Sequence, residues 1–312
     1  MSKPVLLQLC PFPDWVQAPL AQTHEVIPLH MSPLSDAKLL ADIAPRVRAI
    51  ATHGGLGVPA EILAACPAVE IVAIFGVGYD AVDLQACRAR GIRVTNTPDV
   101  LTEDCADLAV GMLIALARGI VKAEAFARGP WTRASFPLQR RVSGMRVGIL
   151  GLGRIGVAVA ERLAGFGCDI AYSARSDRGN GLAFVPDPVE LAARSEALIV
   201  TALSNAETRH IVDARVLQAL GPRGFLINIS RAACIDEAAL LTALETGAIA
   251  GAALDVFEGE PNLDPRFLAL PNVVLQPHHA SATTETRQAM GALMLANLAA
   301  HFAGAPLPTP VV

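Results

Sequence analysis

The chain has 312 residues, of which 53% are apolar, 17% charged and only 4% aromatic, and its formal net charge is −4. The length exceeds one small domain and suits two, and the apolar content excludes a disordered chain. The most apolar uninterrupted run, Leu108–Ala117, falls short of the roughly 18–20 residues that cross a bilayer, and no basic tract offers a surface for nucleic-acid phosphates.

The opening stretch, MSKPVLLQLCPFPDW, has one lysine and a short apolar run before Pro11 and Pro13, without the pattern of a signal peptide. Cys10, Cys66, Cys87, Cys105, Cys168 and Cys234 form no CxxC pair and no zinc-like spacing with histidine. We therefore expect a cytoplasmic protein with reduced, buried thiols and no metal.

In the first third, apolar runs predict strands at Val5–Leu9, Glu25–Pro28, Val47–Thr52, Ile71–Phe75 and Arg93–Thr95. Helices are expected between them, including Ser35–Ile43, Pro59–Ala65 and Asp83–Arg90, an alternation that points to a parallel α/β sheet. After the punctuated segment NTPDV, a long helix is predicted from about Thr102 to Ala127, with Thr102 as its cap and Glu103 and Asp104 in the acidic first turn.

A second series begins at Val147–Leu150 and continues with strands at Ile170–Ser173, Ala197–Ala202, Gly224–Ile229, Ala250–Asp255 and Val273–Gln276. Helices are expected at Arg154–Phe166, Pro188–Ala193, Asp213–Leu220 and Asp236–Glu245, and a closing helix at Thr283–Phe302 runs into the proline-rich APLPTPVV.

The strongest local signal is Gly151-Leu152-Gly153-Arg154-Ile155-Gly156, which leaves an apolar strand and opens a helical pattern. In such a turn the first glycine permits the reversal, the second admits a pyrophosphate to the backbone amides and the third packs helix on sheet, so the segment reads as dinucleotide-binding. About 20 residues further on, a site for NAD places an acidic residue at the second strand's tip. Here that tip is Ser173, followed by Arg175, Ser176, Asp177 and Arg178. Guanidinium and hydroxyl donors suit a 2′-phosphate, so NADP(H) is the expected cofactor and NAD(H) the alternative, Asp177 being the residue that argues for the latter.

Three further stretches put polar groups at the carboxyl ends of predicted strands: Asn228-Ile-Ser-Arg231, Asp255-Val-Phe-Glu-Gly-Glu260-Pro261 and Pro277-His278-His279-Ala-Ser-Ala-Thr283. Together with GLGRIG, His53-Gly54-Gly55-Leu56-Gly57-Val58 and Phe75-Gly76-Val77-Gly78-Tyr79-Asp80, they occur in an order that resembles the D-2-hydroxyacid dehydrogenase family over nearly the whole chain. Within it the sequence looks most like the NADPH-dependent glyoxylate/hydroxypyruvate reductases and the hydroxyphenylpyruvate reductases.

The resemblance implies two doubly wound parallel-sheet domains, a Rossmann-type nucleotide domain (98–283) inserted into a flavodoxin-like substrate domain (1–97 and 284–312). It assigns Arg231, Glu260 and His278 as the catalytic trio. Arg231 would hold the substrate carboxylate and polarise the ketone, while His278 would exchange the proton with Glu260 supporting it. Asp255 would hold the nicotinamide carboxamide, and Thr102 would touch the cofactor, as would backbone groups near Leu203, Ile229 and His278. Backbone amides around Gly54, Gly55, Val77 and Gly78 would contact the substrate together with Arg231 and His278. One departure stands out: Ala232 and Ala233 follow the arginine where the family usually has glycine.

The implied activity is NAD(P)H-dependent reduction of a small 2-keto acid, glyoxylate or hydroxypyruvate first, to the D-2-hydroxy acid. An aromatic 2-keto acid reductase and a corepressor-like nucleotide sensor are the rivals. The 102–127 helix and the Trp131 loop resemble the family's dimer arm, so a homodimer is expected, without nucleic acid or membrane.

Overall fold

A computed structural model describes residues 3–31 and 41–312, which divide into two compact units, Met1–Leu101 with Ala282–Val312, and Thr102–Ser281. Most of the expected helix Ser35–Ile43 lies outside the described residues.

The first unit is built on β1 (Val5–Gln8), β2 (Glu25–Pro28), β3 (Val47–His53), β4 (Ile71–Phe75) and β5 (Arg93–Thr95), ordered β2-β1-β3-β4-β5. Every neighbouring pair is parallel, which is the flavodoxin-like order. The interior strand β4 reads as an unbroken apolar run because both faces are covered, and Leu7, Ile50, Val72, Ile74 and Val94 lie in the core. An unexpected helix, Asp14–Thr23, buries Val16 and Leu20 one turn apart and carries Pro19 inside it. The proline-rich end is pinned rather than loose. The buried Asn297 of helix Thr284–Phe302 donates to Thr309 Oγ1 at 2.7 Å and accepts its amide at 3.1 Å, and Val311 donates to the Val94 carbonyl on β5 at 2.7 Å.

The second unit holds β6 (Arg146–Leu150), β7 (Asp169–Ser173), β8 (Ala183–Phe184), β9 (Ala197–Val200), β10 (Phe225–Asn228), β11 (Gly251–Leu254) and β12 (Val273–Leu275). Their order is β12-β11-β10-β9-β6-β7-β8, again parallel throughout. From β6 the chain builds outward first through β7 and β8, then through β9 to β12, so the topological switch lies between β6 and β9. In doubly wound sheets ligands bind at that switch, beyond the carboxyl ends of the strands.

Two expectations are corrected here. The sheet has seven strands instead of six, because the two-residue β8 is too short to show a pattern. The 102–127 helix is two helices, Thr102–Ala117 and Ile120–Ala127, broken at Gly119, which adopts φ +60°. Thr102 is the first helical residue, not the cap.

None of the six cysteines is in a disulfide; five are buried and Cys168 is half-buried. Among the described residues no helix is long and apolar enough to cross a membrane, and no group of histidine, cysteine and acidic side chains could hold a metal ion.

Candidate active site

The glycine turn leaves β6 with the shape that a dinucleotide needs. Gly151 has φ +96°, and a Cβ there would lie 2.6 Å from the Ala202 backbone. At Gly156 a Cβ would fall 2.3 Å from the Gly151 carbonyl oxygen, so only glycine lets helix Arg154–Ala164 start this close to the sheet. Gly153 is different. It caps that helix in extended conformation, and a Cβ on it would meet nothing within 4 Å. The space before the helix N-terminus is therefore open at Gly153, the arrangement that receives a pyrophosphate. Leu152 is buried and Ile155 half-buried, while Arg154 is exposed.

At the tip of β7, Ser173 is buried and its hydroxyl donates to the Pro186 carbonyl at 3.0 Å, so it is already committed to the protein. Arg175 and Ser176 are exposed, and among the described residues their side chains have no hydrogen-bond partner. Asp177 accepts the Tyr172 hydroxyl at 2.6 Å and the Gly179 amide at 2.9 Å. These bonds hold its carboxyl below the usual carboxylate range, the tyrosine contributing most.

The three candidate catalytic side chains come from loops after β10, β11 and β12. Asn228 closes β10 and is fully buried; its Oδ1 accepts the Ser230 amide and hydroxyl, both at 3.0 Å, and its Nδ2 donates to the Arg231 carbonyl at 3.0 Å. This single amide shapes the 228–231 loop, a role that sequence reading did not assign to it. Arg231 Nη1 donates to the Ser230 carbonyl at 2.8 Å. Ala232 begins the short helical turn Ala232–Cys234 and is not among the residues with positive φ, so alanine fits where glycine was the family expectation.

Asp255, just past β11, is fully buried and accepts the amides of His279 at 2.9 Å and Ala280 at 3.0 Å. Burial pushes its carboxyl up, and those amides only partly offset this. The two bonds grip the chain immediately after His278, which sits at φ +52°, an unusual conformation for a side chain with a Cβ. Held in this way, His278 meets Glu260 with Nδ1 2.6 Å from Oε2, while Oε1 accepts the Phe257 amide at 2.9 Å. Burial raises the Glu260 carboxyl, but its bonds to His278 and Phe257 and the charges of His278 and Arg231 outweigh that and hold it below the usual range. His279 turns to Gln276, so the two adjacent histidines have different partners.

Arg231, Glu260 and His278 thus belong to one electrostatic neighbourhood within the second unit, with Asp255 beneath it. The arrangement combines a permanent cation with a carboxylate-supported imidazole. Residues 110–280 match the model of the family described as D-isomer specific 2-hydroxyacid dehydrogenase, NAD binding domain.

The chain belongs to the D-isomer specific 2-hydroxyacid dehydrogenases. A hydroxyphenylpyruvate reductase of Plectranthus scutellarioides is 45% identical over 98% of both chains. The solved 2-hydroxyacid dehydrogenase of Ketogulonicigenium vulgare superposes with a TM-score of 0.93 at 56% identity, covering 100% of this chain and 99% of that one. An NADPH-dependent glyoxylate/hydroxypyruvate reductase of Sinorhizobium meliloti, solved with NADP and malonate, reaches a TM-score of 0.91 at 44% identity, covering 100% and 97%.

The expected substrate contacts lie in the first unit of this dehydrogenase, at the carboxyl ends of β3 and β4. A Cβ on Gly54 would approach the Gly78 carbonyl oxygen to 2.6 Å, so these two glycine loops touch backbone to backbone. Gly55 is exposed, and the Val77 carbonyl is held by Asn96 Nδ2 at 2.8 Å.

Proposed function

We propose that this dehydrogenase uses NADPH in preference to NADH to reduce a small 2-keto acid, glyoxylate or hydroxypyruvate first, to the D-2-hydroxy acid. The observation that carries the reading is the 2.6 Å pairing of His278 with Glu260 in the field of Arg231.

The Gly151–Gly156 turn would hold the cofactor's pyrophosphate, and Arg175 and Ser176 the 2′-phosphate, with Thr102 and Asp255 as further contacts. The bound nicotinamide would supply a hydride to the ketone carbon. Arg231 binds the substrate carboxylate and polarises the ketone oxygen with a planar donor fork that stays charged. His278 has Nδ1 engaged by Glu260, so Nε2 delivers the proton to that oxygen. Glu260 stabilises the imidazolium before transfer and fixes the ring's orientation. In the oxidative direction the neutral imidazole takes the hydroxyl proton back. Backbone amides near Gly54, Gly55, Val77 and Gly78 are the further proposed substrate contacts.

The preference for NADPH draws support from the exposed donors Arg175 and Ser176, beside which Oδ1 of Asp177 is taken up by Tyr172 and Gly179. A relative with the same overall fold is solved with NADP. The similarity to a hydroxyphenylpyruvate reductase favours an aromatic 2-keto acid as the second substrate class. We also read the protein as a homodimer, in which Ile120, Val121, Trp131 and Leu138, all exposed in one protomer, meet the partner.

A panel of glyoxylate, hydroxypyruvate and hydroxyphenylpyruvate, each with NADPH and NADH, tests the reading. We expect the highest kcat/KM for the small keto acids with NADPH. No turnover with any of them would leave a nucleotide-binding protein instead.

A further inference from the structure

Tyr172 is the largest fully buried side chain of the protein, yet it ends in a hydroxyl. A buried phenol needs partners, and these come from the loop that follows its own strand. The hydroxyl donates to Asp177 Oδ1 at 2.6 Å and accepts the Arg178 amide at 2.7 Å. The same Oδ1 takes the Gly179 amide at 2.9 Å. The ring is held against Phe184, with centroids 5.5 Å apart, on the neighbouring β8. The anchor is therefore rigid and the loop is tied to it at two consecutive residues.

Between the strand tip and this knot lie only Ala174, Arg175 and Ser176. The Ser173 hydroxyl fixes one end through Pro186, and the Tyr172 hydroxyl fixes the other. A three-residue span fastened at both ends has little backbone freedom left, so the donors on it are aimed before any ligand arrives. The knot also engages one oxygen of Asp177, Oδ1, which takes both bonds. An unengaged carboxylate here would accept a ribose 2′-hydroxyl and repel a 2′-phosphate.

We infer that Tyr172 and Asp177 are positioning residues for cofactor selectivity: the tyrosine hydroxyl locks the 174–178 loop so that Arg175 and Ser176 receive a 2′-phosphate and Oδ1 of Asp177 is turned to structural use. The inference rests on the proposed preference for NADPH and assigns its cause to a fully buried side chain.

Tyr172→Phe removes one oxygen and keeps the ring. The dissociation constants of NADPH and NADH, from fluorescence titration, and the KM of each, from steady-state assay, provide the readout. NADPH binding should weaken by about 5- to 20-fold through lost preorganisation, while NADH binding stays as in the wild type or tightens. A purely structural tyrosine would lower the melting temperature and move both cofactors together.

A charge-matched pair at the exposed Asp177 covers the case in which Tyr172→Phe does not fold. Asp177→Asn and Asp177→Ala both remove the negative charge, but only asparagine keeps an acceptor for the hydroxyl. Asp177→Asn should bind NADPH at least as tightly as the wild type, and Asp177→Ala about 5- to 20-fold more weakly than Asp177→Asn. Equal binding by the two, or an unchanged selectivity in Tyr172→Phe, overturns the lock. Arg175→Ala separates this from the underlying reading. If it weakens NADPH alone while the lock variants do nothing, only the lock fails. If it weakens both cofactors equally, the 2′-phosphate assignment fails and the lock falls with it.

Discussion

His278 holds Nδ1 2.6 Å from Oε2 of Glu260, and the other oxygen of that carboxylate is anchored to the Phe257 amide at 2.9 Å. The imidazole is therefore oriented by a fixed carboxylate. Glu260→Gln keeps the shape and removes the charge. It should lower kcat for keto acid reduction by about 10-fold or more and leave the KM for NADPH close to that of the wild type. An unchanged kcat would remove Glu260 from the proton chemistry.

The same carboxylate links pH to stability. Its folded pKa lies below the ordinary carboxylate value, because the bonds and charges around it outweigh burial. Its contribution is therefore complete above the unfolded value and is lost as the pH falls through the lower folded one. Glu260→Gln should lower Tm near neutrality, and the gap to the wild type should close in acid. Thermal melts across that range check the sign.

The glycines of the turn separate folding from binding. A Cβ at position 156 would sit 2.3 Å from a backbone oxygen, whereas one at 153 has nothing within 4 Å. Gly156→Ala should fail to fold or melt well below the wild type. Gly153→Ala should fold normally, with Tm close to the wild type, and lose cofactor affinity because its methyl fills the space before the helix amides. Thermal melts alongside cofactor titration read the two effects separately. Equal Tm losses would mean that the open space at Gly153 has no ligand to admit.

Thiol chemistry checks the packing. Burial pushes Cys10 up to about 12 and Cys66 to about 11, while Cys168 is half-buried. With iodoacetamide at mildly alkaline pH, peptide mapping should find Cys168 labelled first, and Cys10 and Cys66 only after unfolding.

The parts that were legible in the sequence are those where one residue type has one use. Gly151, Gly153 and Gly156 sit on a backbone that excludes or exposes a Cβ, so their spacing alone marked the turn. Both sheets were legible because parallel strands covered on two faces appear as apolar runs. The break at Gly119 was hidden because the helices on either side of it are both apolar and continuous in pattern. Asn228 and Tyr172 were missed for another reason. Each acts through atoms brought together by folding, an amide that shapes the loop of Arg231 and a phenol that reaches five residues ahead, and neither carries a spacing signal. The choice between His278 and His279 rested on resemblance and has a geometric counterpart in their separate partners, Glu260 and Gln276.

The central claim is that His278 moves the proton in a keto acid reduction, and the oxidation of NADPH by glyoxylate tests it most directly in wild type and His278→Ala side by side. The account predicts steady turnover by the wild type and a loss of about 10²-fold or more in the variant, with NADPH affinity preserved. A variant as fast as the wild type, or one that fails only because it no longer binds NADPH, would contradict it.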